Sequence, residues 1–112
     1  MRFVVMLNQE MAKKLTEVLH SRVKDIHAFK EGVVTVQINP GYGMCCKCRK
    51  LVGDTKKARS NLMDMSDKTV LPTGIHIQQG EPVQLMDFFK LPMMWLCLEC
   101  AKEIMGDLLK GV

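Results

Sequence analysis

Aromatic residues are scarce in this chain, and the few present avoid its positive charge. Its 112 residues include one Trp, one Tyr and four Phe. None of these six (Phe3, Phe29, Tyr42, Phe88, Phe89, Trp95) falls in the densest run of lysine and arginine. Single-strand recognition by stacked bases therefore has no support in that run. Long apolar runs are also missing: nothing approaches the about 18 consecutive residues of a membrane-spanning helix. The apolar start, Phe3 to Leu7, gives way at once to Asn8-Gln9-Glu10, which is too short for a secretory signal. No segment repeats, and none is of low complexity. The expectation is an intracellular, cytoplasmic protein with no membrane partner and no small-molecule substrate.

A strong overall charge is lacking as well. The net value is +4, but its distribution is uneven: +2 over residues 1–43, +5 over 44–60 and −3 over 61–112. The basic surplus is thus local. Lys47, Arg49, Lys50, Lys56, Lys57 and Arg59 are candidate phosphate contacts, since such contacts rest on charge and need no base reading.

What the chain does have is cysteine in pairs. Cys45 and Cys48 form one Cys-x-x-Cys, Cys97 and Cys100 another, and a fifth cysteine, Cys46, sits inside the first. Two residues between cysteines let one tight turn aim both sulfurs at a point, and two such pairs supply four ligands for a tetrahedral ion. Thiolates select zinc, or less often an iron centre. An odd cysteine count in an intracellular chain argues against a disulfide framework. The expected ligands are Cys45, Cys48, Cys97 and Cys100, holding one structural Zn²⁺. Cys46 and His76 are the alternatives. Four thiolates around one Zn²⁺ would add −2 beside the basic run.

The remaining pattern predicts an α+β chain of one domain, residues 1–112, with a β-α-β-β part over 1–42 and a cysteine-bearing part over 43–112. Residues 2–7 read as a buried strand. Asn8 is an N-cap for an amphipathic helix over about 9–22, with Met11, Leu15, Val18 and Leu19 on one face. Val23–Phe29 and Val33–Ile38 flank Gly32 and read as a hairpin. Short strands are expected at Val70-Leu71-Pro72, Ile75–Gln78 and Val83–Leu85. Met93–Leu96 delivers Cys97. Ala101, Ile104, Met105, Leu108 and Leu109 then recur at helical spacing, closed by Lys110-Gly111.

A turn-borne Cys45-x-x-Cys48, followed by β-rich sequence and a helix-borne Cys97-x-x-Cys100, resembles the treble-clef type of zinc module over about residues 43–112. The resemblance implies a knuckle at Gly43–Cys48 and a scaffold shared by ribosomal, transcriptional, polymerase-binding and nuclease domains, so it implies no single task. Knuckles of that type often have glycine after the second cysteine, where this chain has Arg49. The His-Asn-His nucleases built on it need a histidine on the final helix, where this chain has Ala101-Lys102. A closed four-cysteine site also leaves no position for water, so no enzyme is expected. The expected role is a small regulator or adaptor docking on a protein or protein–nucleic-acid partner. Ten methionines suit an adaptable surface, with Met86, Phe88, Phe89, Met93 and Met94 as candidate contacts. The alternative is direct DNA or RNA binding through residues 47–59.

Overall fold

The computed structural model describes residues 2–20, 28–61, 70–80 and 92–111. The described elements are strand β1 (Arg2–Leu7), helix α1 (Gln9–His20), strands β2 (Gly32–Ile38), β3 (Tyr42–Met44) and β4 (Leu51–Gly53), and helix α2 (Thr55–Asn61). Strands β5 (Val70–Leu71), β6 (Gly74–Gln79) and β7 (Met93–Cys97) lead to helix α3 (Leu98–Met105).

Four strands form one sheet in the order β1-β2-β6-β7, with every neighbouring pair antiparallel. Alternation along the strands turns Val34 and Val36 of β2, Ile75 and Ile77 of β6, and Met94 and Leu96 of β7 into the core. They join Ala12, Leu15 and Leu19 of α1 and Ala101, Ile104 and Met105 of α3 in one apolar cluster. Burying each large aliphatic side chain there contributes about 1.5–3 kcal/mol.

The helix α1 starts where the sequence places it. Asn8 Oδ1 accepts the Met11 N–H at 2.8 Å, satisfying one of the donors that a helix start leaves without a partner. Its Thr16 hydroxyl accepts the Phe29 N–H at 2.9 Å, which anchors the returning chain and buries Phe29.

Three expectations need correction. β1 is not buried: it is an edge strand, with Val4 49% and Met6 62% exposed. The strand over Gly32–Ile38 exists, but its partners are β1 and β6. Of the other hairpin arm, Phe29 lies outside any strand, and residues 23–27 lie outside the described residues. The last helix does not run through to Leu109. It ends at Met105, and Gly106–Leu109 tighten into a 3₁₀ turn. The expected strand at Val83–Leu85 lies outside the described residues, whereas those expected at 70–72 and 75–78 are present as Val70–Leu71 and Gly74–Gln79.

A second sheet, β3-β4-β5, is smaller. β3 and β4 form an antiparallel hairpin, and β5 lies parallel to β4. Between them α2 is capped by Asp54, whose Oδ1 accepts the N–H groups of Lys56 and Lys57 at 3.1 and 3.2 Å. Its Ala58 packs with Val70 against Tyr42 and Leu51. Asn39 ties this region to the large sheet. It sits in the left-handed region at φ 53°, accepts the Gly74 N–H at 2.6 Å and donates to the Pro72 carbonyl at 2.9 Å.

Candidate metal centre

The β3–β4 hairpin presents the first cysteine pair at its tip. The Cys45 N–H donates to the Lys50 carbonyl and the Arg49 N–H to the Cys45 carbonyl, each at 2.9 Å. This reversal forces Arg49 to φ 67°, a conformation that glycine adopts more readily than arginine. The second pair opens α3. Cys97 is its N-cap in extended conformation, and its sulfur accepts the Cys100 N–H at 3.4 Å. The Cys45 sulfur accepts the Cys48 N–H at the same 3.4 Å. Each Cys-x-x-Cys thus folds around its leading sulfur.

The two turns meet. The Sγ atoms of Cys45, Cys48, Cys97 and Cys100 all lie within 4.8 Å of one another, and Cys48 and Cys97 sulfurs are 3.7 Å apart. Four bonds of about 2.3 Å to a tetrahedral ion put sulfurs about 3.8 Å apart, so the quartet could hold a metal ion with little adjustment. None of the five cysteines is in a disulfide. Cys45, Cys97 and Cys100 are buried, and Cys48 is exposed.

Burial opposes ionisation at Cys45, but backbone N–H groups of Cys48, Cys97 and Lys47 outweigh it and bring that thiol down to about 7. Burial pushes the Cys48 and Cys100 thiols up, and neighbouring cysteines add to the rise. Thiolates crowded in this way disfavour one another until a cation lies among them.

Packing around the quartet is tight. The Cys46 N–H donates to the Trp95 carbonyl at 2.9 Å, docking the hairpin tip on β7. A Cβ on Gly43 would lie 2.5 Å from the Trp95 ring, so only glycine lets the hairpin approach the indole this closely. Lys47 reaches across to Glu103 of α3 at 2.7 Å. Nothing in the sequence pattern pairs these two, although Glu103 stands one turn beyond Cys100, on the helix that the second pair opens.

The other singled-out residues are placed as follows. Cys46 is partly buried against the core and is not one of the quartet. His76 stands half-buried on β6, edge-on to Trp95 at 5.2 Å between centroids, outside the sulfur cluster. Arg49, Lys50, Lys56 and Lys57 are exposed, Lys47 is paired as above, and Arg59 lies on α2. Met94 is corrected from partner contact to core: it is 3% exposed on β7. Met93 is half-buried. Met86, Phe88 and Phe89 lie outside the described residues. A feature that the sequence did not announce is a cleft of about 350 Å³ beside Cys97, lined by Leu71, Pro72, Thr73, Leu98, Glu99 and Lys102.

Comparison with protein-family models, curated proteins and solved structures finds no significant match in any of the three. Among the described residues, no helix is long and apolar enough to cross a membrane. The chain is a small mixed α+β protein with an antiparallel sheet and a four-cysteine cluster positioned to bind a metal ion.

Proposed function

We propose that Cys45, Cys48, Cys97 and Cys100 hold one structural Zn²⁺ in a treble-clef-like module, and that the protein is a non-catalytic cytoplasmic adaptor or regulator of a macromolecular partner. The observation that carries the metal reading is the convergence of four sulfurs, 3.7 Å at one pair and no more than 4.8 Å at any, from a hairpin tip and a helix start. Thiolates favour zinc over magnesium or calcium. Four protein ligands close the coordination shell, which suits a scaffold and leaves no place for a reacting water. A reducing compartment keeps such thiols available.

The docking reading draws on the cleft between the β5–β6 turn and the first turn of α3. Its apolar floor, with Glu99 and Lys102 among the lining residues, fits an apolar side chain of a protein partner with polar flanks. A second reading, contact with DNA or RNA, draws on the exposure of Arg49, Lys50, Lys56 and Lys57 on the knuckle and on α2. Metal analysis of chain purified without added metal should return one zinc per molecule; a value near zero with a native fold overturns the metal reading. A pull-down from the native host, with and without nuclease, separates the two partner readings. Phosphate contact predicts log-linear weakening with salt and loss on charge reversal of Lys50, Lys56 and Lys57. Cleft docking predicts survival of both and loss in Leu98→Glu.

A further inference from the structure

Among the described residues, the four-stranded sheet has two edges, β1 and β7. The β7 edge is engaged, because the Trp95 carbonyl takes the Cys46 N–H at 2.9 Å. The β1 edge differs. Edge strands are ordinarily guarded by proline, a bulge, extreme shortness or charge pointing inward. β1 has six residues, pairs with β2 in unbroken register from Arg2↔Gln37 to Leu7↔Gly32, and holds no proline and a single charge, Arg2. Every second residue of such an edge turns its N–H and C=O away from its neighbour. Two of the three large exposed hydrophobics among the described residues, Val4 at 49% and Met6 at 62%, stand on this strand, and alternation puts them on one face.

We propose that β1 is a self-association edge: two copies of this chain pair β1 with β1 antiparallel about a two-fold axis, joining two four-stranded sheets into one. The occupant follows from the strand's own pattern. A two-fold normal to the sheet keeps each face on its own side, so facing residues must share parity. An axis through Val4 sets Val4 against Val4, Phe3 against Val5, and Arg2 against Met6. The lone charge then never faces its copy, and the Arg2 stem lies along the Met6 thioether. Residues 3–7 carry no charge by which a charged foreign strand could be selected. The paired edges alone bury less than the about 1,000 Å² expected of a tight specific interface, so the dimer is weak and concentration-dependent.

The test uses the full chain under reducing conditions, with sedimentation equilibrium from micromolar to millimolar concentration and hydrogen exchange read at both ends of that range. The expected result is a mass that climbs toward twice that of the chain, with exchange at residues 2–7 slowing as concentration rises. Val4→Lys, which faces its own copy across the axis, should weaken association at least tenfold. Because Val4 is half exposed, circular dichroism should show an unchanged fold. Met6→Lys sets a second charge against Arg2 and should act in the same direction. A monomer at millimolar concentration overturns the proposal, even if β1 is then found to bind an extended segment of another protein. So does a dimer that survives Val4→Lys, or one whose slowed exchange lies outside β1.

Discussion

The two sheets of this molecule are held together by different means. The large sheet has strands of six, seven, six and five residues and closes over a core in which Leu15, Val34, Val36, Ile75, Ile77 and Leu96 are fully buried. The small sheet has strands of three, three and two residues; among the described residues its separate apolar cluster has Ala58 and Val70 as buried members, while Val52 of β4 is buried in the main core. The small sheet therefore has little apolar area of its own and leans on the main core through Val52 and Leu71. Its hairpin is held by Val52, by contact with Trp95 and by the cysteine turns, with the exposed Lys47–Glu103 pair adding little. The large sheet should therefore depend on metal only at the end of β7, where Cys97 pairs with Gly74, and the small one should depend on it more.

The sharpest way to break this contrast is to strip the zinc that we propose the quartet holds. A structural zinc site contributes apparent binding free energies of about 10–16 kcal/mol in small zinc peptides. Strong chelator, or Cys45→Ser, should expose the amides of β3, β4 and the first turn of α3 to fast exchange while β2 and β6 stay protected. Uniform loss across both sheets would show that the contrast is false. The converse change is Leu15→Ala in the large core, which should cost about 2–5 kcal/mol in urea unfolding with metal stoichiometry unchanged. Next comes the contact between the two regions. Gly43→Ala drives a methyl into the Trp95 ring and should cost about 1–3 kcal/mol, with a shift in tryptophan emission.

Smaller effects sharpen the comparison within each region. Arg49 occupies a left-handed backbone position at φ 67°, a cost of about 1–2 kcal/mol for a residue with a Cβ. The greater freedom of glycine in the unfolded chain cancels about 0.5–1 kcal/mol of that. Arg49→Gly should therefore stabilise the metal-loaded protein by about 0.5–1 kcal/mol in denaturant titration. The smallest effect concerns pH. Burial holds His76 below its ordinary value of 6.5, so below that pH the unfolded chain takes up a proton that the folded chain resists. The contribution is complete above pH about 6.5 and is lost as pH falls through the lowered value. His76→Gln should flatten that part of the stability profile, measured by thermal melts at fixed metal loading.

The residues that were legible in advance are those whose roles are local. Asn8 caps α1 because the donor it satisfies is three residues away, and the cysteine pairs announce themselves through a spacing that one turn can close. The β-branched run at 33–38 is a strand for the same reason. Long-range pairing was not legible. Val33–Ile38 would satisfy its alternation equally well beside a neighbour across Gly32 or beside β6, and tertiary packing selects β1 and β6. Edge position decides whether an apolar strand is buried, and nothing in Phe3–Leu7 encodes it. Met94 was misread because methionine suits both core and contact surface. Only its parity with Leu96 against Ile75 and Ile77 assigns it to the core. The α2 helix was missed because its polar, basic composition has a single buried side chain, Ala58, among those described.

The close seat of Gly43 on Trp95 gives the molecule a built-in optical probe. The chain has one tryptophan, its carbonyl is bonded to the knuckle and its ring lies against the strand leading into it. Indole emission should therefore track how firmly the knuckle is seated, without a dye or a tag, so ion uptake and release can be timed in a stopped-flow cell on the unlabelled native chain.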